Sequence, residues 1–301
     1  MIQKLFTLAV KPLVGSGIGR IKPLANLYQR IAMKIIPKEK IIDVQGFKMK
    51  VVTEGHINDI ATELLFKGIH EPMSTYIFKR YIKEGDCIVD IGANVGYFSL
   101  LSARLVGATG RVYSFEPDVD NMKALVGNVV LNHFKDVGYY QVALSDYVGH
   151  SKFYLSKTES ARHSLIQTHE HSSEVIVEVN KLDEIIPKSF PVHFIKTDTE
   201  GNEMAVLKGA KETIKRNKGV KVLLEVYPEA LSKQGVTVTD LWDYLVNEGD
   251  LDFKYIYLVD DYKNQIERTS LYKLLHYFKE TALVCNLLCS RSELTVDKIS
   301  R

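Results

Sequence analysis

Residues 89–99 read VDIGANVGYFS, and residues 111–117 read RVYSFEP. The apolar run Cys87–Ile91 is broken at Gly92 and Gly96 and then resumes with helical spacing, which predicts a strand, a tight turn and the start of a helix. Glycines in such a turn permit positive φ and let backbone N–H groups approach a ligand. This stretch therefore predicts an α/β fold with a ligand-binding turn at the end of a strand.

Two acidic residues accompany the turn. Asp90 ends the first strand, and Glu116 ends the next apolar run, 24 residues after Gly92. An acidic side chain about 20 residues beyond the first glycine binds ribose hydroxyls in nucleotide-binding folds. The pair indicates an adenosine-containing cofactor, and the alternative is a glycine-rich turn that binds no ligand.

The glycine spacing distinguishes between cofactors. A dinucleotide turn requires G-x-G-x-x-G, whose third glycine permits close helix-to-strand packing. With Gly92 as the first glycine, Asn94 and Tyr97 take the second and third positions, and a bulky tyrosine there argues against NAD or FAD. The order Asp-x-Gly-x-Asn-x-Gly suits a donor that has an amino acid head and no phosphates. We therefore predict S-adenosylmethionine as the cofactor.

The amino-acid composition excludes some classes of function. The 301 residues are 46% hydrophobic and 25% charged, and 39 basic against 37 acidic residues give a net charge of +2, so no global field for polyanions is expected. Three cysteines without disulfide or zinc spacing indicate a reducing, cytoplasmic setting. No apolar run is long enough to span a bilayer, and Leu5–Val10 is too short for a secretory signal.

Residues 1–40 carry eight basic side chains and one acidic one. Their apolar residues recur near helical spacing, so we consider a solvated helix or partner-binding arm first and an amphipathic segment on an anionic membrane surface second. The region Lys40–Thr53 alternates around Gln45-Gly46 as a hairpin does. We place a domain boundary near residue 84, between this N-terminal segment (1–84) and a cofactor-binding domain (85–301).

Beyond residue 84, strands and helices alternate, which predicts parallel strands covered by helices on both faces. Strands are expected at 87–91, 112–115, 139–144, 192–197 and 220–226, and two further runs at 254–259 and 282–288 predict a C-terminal antiparallel pair. Ligands bind such sheets at the carboxyl ends of the strands. This rule brings Gly92–Gly96, Glu116 and Ala143-Leu144 to one crevice.

Two other features face that crevice in this interpretation. The polar segment 156–173, with Arg162, His163, His169 and His171, lies between two expected strands and is a place where a substrate can be recognised. Asp198 and Glu200 follow the fourth strand, where they either act on the substrate or stabilise the start of the next helix.

Four segments together resemble the FkbM family of S-adenosylmethionine-dependent methyltransferases. They are DIGANVGYFS (90–99), YSFEPD (113–118), LDEII (182–186) and, most specifically, IKTDTEGNEMAVLKGA (195–210). The resemblance implies a class I methyltransferase (Rossmann-like) fold, with a mostly parallel seven-stranded sheet and a C-terminal antiparallel hairpin. It also implies methyl transfer, most often to a hydroxyl of a sugar or small metabolite.

The resemblance also implies roles for residues of this chain. The methionine end of the donor would be held by Asp90, Gly92, Asn94 and Gly96, and the ribose by Glu116, with Ala93 and Pro117 completing the site. The adenine would lie by Ala143-Leu144, where the absence of an Asp predicts recognition by backbone and apolar contacts.

Asp198 or Glu200 would serve as the general base on a hydroxyl acceptor. A divalent cation held by Asp198 and Glu225 is an alternative that we do not favour, since only two carboxylates are so placed.

Two other functions remain open at this point. One is methylation of nucleic acid or protein, disfavoured because no aromatic-interleaved basic groove and no N-P-P-Y-like tetrapeptide is present. The other is a cofactor-binding module tethered by residues 1–40 to a membrane-associated glycan assembly.

Overall fold

The computed structural model describes residues 39–52, 60–156, 163–167, 171–281 and 284–296. The amphipathic segment considered for residues 1–40 therefore lies, up to residue 38, outside the described residues. The chain divides into two compact units, 1–70 and 71–301. The boundary that the sequence suggested near residue 84 stays a prediction.

The first unit contains the predicted hairpin. β1 (Glu39–Val44) and β2 (Phe47–Val52) pair antiparallel, and alternate residues of β2 are buried. Gln45 and Gly46 between them both have positive φ, 52° and 86°, which is the backbone of a tight two-residue turn. Helix α1 (Ile60–Lys67) follows.

The second unit contains the remaining strands and helices. Its strands are β3 (Cys87–Ile91), β4 (Arg111–Phe115), β5 (Val137–Tyr140), β6 (Ala143–Leu144), β7 (Gly149–Ser156), β8 (His171–Asn180), β9 (Phe194–Thr197), β10 (Lys221–Val226), β11 (Tyr255–Asp260), β12 (Gln265–Arg268) and β13 (Cys285–Ser290). Its helices are α2 (Pro72–Tyr81), α3 (Tyr97–Val106), α4 (Val119–Leu131), α5 (Leu182–Ile185), α6 (Glu203–Gly209), α7 (Lys211–Arg216), α8 (Pro228–Lys233), α9 (Val238–Val246) and α10 (Leu271–Thr281).

The central sheet of the described residues has the order β12-β11-β13-β10-β9-β3-β4-β5. Five neighbouring strands pair in parallel, in the order β10, β9, β3, β4 and β5. Strand β13 lies between β10 and β11 and runs antiparallel to both. This arrangement is the mostly parallel sheet with a reversed C-terminal strand that the class I methyltransferase fold predicts, so the fold class is confirmed. The sheet has eight strands instead of seven because β12, with the polar sequence QIER, pairs with β11 at the edge.

The third predicted strand, 139–144, is wrong in its extent. β5 ends at Tyr140, and Ala143-Leu144 forms β6 in a separate three-stranded sheet of order β6-β8-β7. The amide of Val142 donates to Tyr140 O at 2.9 Å, a bend that takes the chain out of the central sheet. Only Gln141 interrupts the apolar run of residues 139–144, so the hydrophobic pattern alone gave no sign of the bend.

The helical segment that follows the fourth predicted strand is divided into α6 and α7 at Ala210. A Cβ added at Gly209 would lie 1.9 Å from the carbonyl oxygen of Ser145, so the chain passes directly against the backbone after β6 there. The carboxylate of Asp183 accepts hydrogen bonds from the amides of Glu212 (2.9 Å) and Thr213 (2.7 Å), which stabilises the start of the second helix.

Among the residues that the structure describes, no helix combines the length and the apolar character that crossing a bilayer requires.

Candidate functional site

The site lies where the order of the strands reverses. From β3 the chain goes to β4 and β5 on one side of the sheet and later to β9 and β10 on the other, so the switch point lies between β3 and β9. Ligands of open α/β sheets bind at the carboxyl ends of the strands at this point. The glycine turn follows β3 here, and the acidic loop Asp198–Asn202 follows β9.

The glycine turn is fixed to the end of β4. The amides of Gly92 and Ala93 both donate to Phe115 O at 3.0 Å, and the amide of Gly96 donates to Ala93 O at 2.9 Å. Gly92, Asn94 and Gly96 all have positive φ, and Gly96 precedes the first residue of α3. The turn therefore has the conformation for which its glycines were predicted.

Asp90 lies beneath the turn and is 1% exposed. Its Oδ2 accepts a hydrogen bond from Ser99 Oγ at 2.6 Å, whereas its Oδ1 is buried and meets no hydrogen-bond donor among the residues that the structure describes. Burial raises the pKa of this carboxyl, and the nearby ammonium of Lys196 opposes that shift. A buried acceptor without a donor fits a ligand that brings one, as the ammonium group of S-adenosylmethionine does.

Glu116, predicted to bind the ribose, is 4% exposed at the end of β4. Its Oε2 accepts from the amide of Asn94 at 2.8 Å and its Oε1 from the amide of Asp118 at 2.9 Å. Each carboxylate oxygen keeps a further lone pair, so the side chain can still accept from a ribose diol. Burial raises the pKa of Glu116 to about 7, although the two backbone donors oppose the shift. Pro117 follows in sequence and is half-buried.

The structure places Ala143 and Leu144, which were expected beside the adenine, outside the central sheet. Ala143 and Leu144 are buried in β6, and the Leu144 carbonyl accepts from Asn202 Nδ2 at 3.0 Å. The residues that directly follow β5 are Gln141 and Val142, which the sequence analysis did not select because it continued the strand through them.

Three carboxylates gather at the other side of the glycine turn. Oxygen atoms of Asp198, Glu200 and Glu225 lie within 4.8 Å of one another. Burial raises the pKa of Glu225 well above its usual value, and the neighbouring carboxylates, Asp198 and Glu200 first among them, raise it further. Carboxylate oxygens are the ligands that Mg²⁺ and Ca²⁺ prefer, so this group could hold a divalent cation. The sequence analysis paired Asp198 with Glu225 and did not foresee that Glu200 joins them.

Lys196 lies beneath these acids and was missed by the sequence analysis. It is 3% exposed, its Nζ donates to Asp198 Oδ2 at 2.7 Å, and it lies over the ring of Phe98 at 4.7 Å. In the parallel pairing of β3 and β9 it stands opposite Asp90. Burial lowers the pKa of this ammonium, but Asp198, Glu71 and Asp90 together outweigh burial and raise it. A lysine inside the buried strand sequence FIKT was the signal that could have revealed it.

The helix-capping alternative for Asp198 and Glu200 does not describe the structure. The cap position of α6 is Asn202. The loop is organised by Glu203, which is fully buried and whose Oε1 accepts from the amides of Thr199 and Gly201, both at 3.0 Å. Asp198 and Glu200 therefore project from a loop that other residues hold in place.

Residues 163–167, called the strap below, belong to the polar segment between β7 and β8. Ser164 is 1% exposed, and its Oγ lies 2.9 Å from Glu200 O and 3.3 Å from Thr199 O. His163 is half-buried, with Nδ1 3.7 Å from Asp118 Oδ2. Arg162 and His169 lie outside the described residues. The structure thus brings part of the predicted recognition segment to the crevice.

Several solved structures are similar in fold. A SAM-dependent O-methyltransferase from Thermotoga maritima matches at 12% identity, covering 91% of this chain and 83% of that one, with a TM-score of 0.43. Aeropyrum pernix fibrillarin in complex with S-adenosyl-L-methionine matches at 13% identity, covering 83% and 82%, with a TM-score of 0.41. P. horikoshii TYW2 in complex with MeSAdo matches at 14% identity, covering 85% and 73%, with a TM-score of 0.38. No curated protein matches the chain.

The chain also matches the model of a known protein family. The model of the methyltransferase FkbM domain matches residues 90–257, from Asp90 in β3 to Tyr257 in β11, which is more than half of the chain. The match contains the glycine turn, Glu116 and the cluster around Asp198, and the cofactor predicted from that turn, S-adenosylmethionine, is the methyl donor of such a domain. The chain belongs to the FkbM family of methyltransferases.

Proposed function

We propose that this methyltransferase transfers the methyl group of S-adenosylmethionine to a hydroxyl of a sugar or small metabolite. The observation that carries the proposal is the cluster of Asp198, Glu200 and Glu225, whose oxygens lie within 4.8 Å of one another beside the glycine turn. A hydroxyl must lose its proton as it is methylated, and a carboxylate beside the acceptor is a suitable proton acceptor.

The transfer is an in-line displacement. The acceptor oxygen forms a bond to the methyl carbon while the carbon–sulfur bond breaks, and the sulfur keeps that electron pair, so S-adenosylhomocysteine leaves neutral at sulfur. The hydroxyl proton passes to a carboxylate. Much of the acceleration comes from alignment of oxygen, carbon and sulfur, which here depends on the fixed distance between the glycine turn and the acidic loop.

The contacts of the acids support different roles for them. Asp198 forms an ion pair with the buried Lys196, and neutralising Asp198 by a proton would leave that ammonium without its closest counter-charge. Glu225 has a pKa raised well above its usual value and therefore tends to hold a proton. These relations favour Glu200 as the general base and Asp198 as the residue that orients the acceptor.

The test is label transfer from S-adenosylmethionine to a fractionated metabolite extract, with mass spectrometry to locate the label. We expect the label on oxygen, and we expect Glu200→Gln and Asp198→Asn to abolish transfer while calorimetry shows nearly unchanged cofactor binding. Glu248→Gln is the matched control, because the side chain of Glu248 is exposed and does not belong to the carboxylate cluster. Label on nitrogen, or full activity in both variants, would contradict the proposal.

The cytoplasmic location and a peripheral membrane contact through residues 1–40 stay proposals from the sequence. The basic composition of that segment supports the membrane contact, and the three cysteines without disulfide or zinc spacing support the cytoplasmic location. Binding to anionic vesicles that is lost on deletion of residues 1–40 would support the membrane contact, and unchanged binding would contradict it. Salt-dependent binding to RNA would instead favour the nucleic-acid alternative.

A further inference from the structure

The strap lies between the two loops that flank the glycine turn. His163 approaches Asp118, in the loop after β4, with 3.7 Å between Nδ1 and Oδ2. The next residue, Ser164, contacts the loop after β9. Because β3 lies between β4 and β9 in the sheet, the strap passes across the carboxyl end of β3, where the glycine turn lies.

Ser164 connects this strap to the acidic loop through its hydroxyl. Its Oγ is within hydrogen-bonding distance of the carbonyls of Glu200 (2.9 Å) and Thr199 (3.3 Å), between which its single proton is shared. The same Oγ accepts from the amide of Ile166 at 2.9 Å. The backbone of Ser164 is in turn fixed by two hydrogen bonds with Tyr154 of β7, at 2.8 and 3.1 Å. A rigid hairpin is thus linked to the backbone of Glu200.

Glu200 needs such a restraint because its φ is 54°, a left-handed conformation that residues with a side chain disfavour. Strained residues persist where the surroundings hold them from several sides. Glu203 holds the amides of Thr199 and Gly201, and Gln234 donates to the Gly201 carbonyl. Ser164 holds the carbonyl of Glu200 itself.

We propose that Ser164 is a positioning residue for methyl transfer, which keeps Glu200 in its left-handed conformation so that the carboxylate stays beside Asp198 and Glu225. The proposal rests on the proposed role of Glu200 as the base. Without the hydroxyl, the backbone at Glu200 can relax towards a right-handed or extended conformation, and the carboxylate then turns away from the cluster.

The experiment compares Ser164→Ala with Ser164→Thr, which retains a hydroxyl. We expect Ser164→Ala to lower kcat for label transfer roughly tenfold, the effect of losing about one hydrogen bond, with KM and cofactor affinity nearly unchanged. Hydrogen–deuterium exchange at residues 199–203 should rise, and the low-pH limb of the rate profile, which reports the base, should shift. Ser164→Thr should recover most of the rate.

Ser232→Ala is the matched control, since Ser232 is an exposed serine whose hydroxyl also donates to a backbone carbonyl, that of Glu229 at 2.7 Å. If Ser164→Ala does not fold, Ser164→Cys, with similar shape and a weak donor, takes its place. An unchanged kcat, an unchanged pH profile or unchanged exchange at 199–203 would overturn the proposal. Failure of the proposed function is distinguishable, because the wild-type enzyme would then place no label on oxygen while the exchange measurement still tests Ser164.

Discussion

Gly92 and Asp198 meet backbone to backbone at the switch point. A Cβ added at Gly92 would lie 1.8 Å from the carbonyl oxygen of Asp198, and the Asp198 amide donates to Ile91 O at 3.0 Å. The turn that we propose binds the donor and the loop that carries the acids are therefore joined at one point. Since methyl transfer depends on alignment of donor and acceptor, this junction fixes the distance that matters most for the reaction.

The first prediction concerns this junction. Gly92→Ala should destabilise the protein by about 2–4 kcal/mol, because its φ of 77° strains any side chain and the added methyl group overpacks against Asp198. We also expect loss of measurable cofactor binding, since the turn must move. Urea unfolding and calorimetry with S-adenosylmethionine are the measurements.

Gly127→Ala provides the control for that variant. Gly127 lies within α4, and a Cβ there would meet nothing within 4 Å in the part of the chain that the structure describes. Alanine should stabilise this helix by about 1 kcal/mol, with cofactor affinity unchanged. If Gly92→Ala behaves like Gly127→Ala, the two loops are not rigidly joined.

The sequence predicted those parts of the fold that depend on local pattern. Glycines and apolar spacing located β3, the turn and the start of α3 correctly, because the spacing of apolar residues changes at Gly92 and Gly96. The hydrophobic pattern was less informative where contacts between distant segments determine the ends of strands and helices. The apolar run of residues 139–144, interrupted only by Gln141, concealed the bend between β5 and β6, and the contact of Gly209 with the Ser145 carbonyl divides a helix that reads as continuous.

Part of the candidate site could also be predicted from the sequence. Glu116 and Asp198 end parallel strands, so topology alone places them near the glycine turn. Lys196 and Ser164 become part of the site through contacts with residues distant in the sequence, such as Ser164 with Glu200. No spacing rule encodes such contacts. The roles of these residues are proposals that the variants described here test.

The second prediction concerns the buried ion pair of Lys196 and Asp198. Lys196→Met should cost about 2–4 kcal/mol of stability, since it removes the cation nearest to Asp198 and Asp90. The double variant with Asp198→Asn should recover part of that loss, because it removes one of the unpaired carboxylates, but it should remain inactive. Urea unfolding of the wild type, the two single variants and the double variant gives the coupling free energy between Lys196 and Asp198. Strictly additive losses would show that the pair is not coupled.

The third prediction is a dependence of stability on pH. Glu116 has a pKa near 7 in the folded protein, raised by burial from 4.5. The folded state therefore binds more protons than the unfolded state between these values, so stability falls as pH rises from about 4.5 to 7. The shift sets an upper limit of about 3 kcal/mol for this residue.

Glu116→Gln tests the assignment, because an amide does not titrate. We expect the variant to be more stable than the wild type at pH 8, to lose most of this pH dependence, and to bind S-adenosylmethionine more weakly if Glu116 accepts from the ribose. Urea unfolding at several pH values, with calorimetry at pH 8, measures both effects. An unchanged pH dependence would assign the effect to other buried acids, such as Asp261, whose pKa burial raises to about 6.

The fourth prediction concerns the divalent cation. Lys196 already donates to Asp198 Oδ2 at 2.7 Å, and Glu225 tends to hold a proton, so we expect direct base catalysis by Glu200. Chelator treatment should leave label transfer unchanged, and added Mg²⁺ should not increase it. Glu225→Gln, whose neutral amide resembles a protonated carboxyl, should retain most of the wild-type rate. If chelation instead abolishes transfer, and Mg²⁺ restores it in the wild type but not in Glu225→Gln, the three carboxylates hold a catalytic cation, and the assignment of Glu200 as the base is wrong.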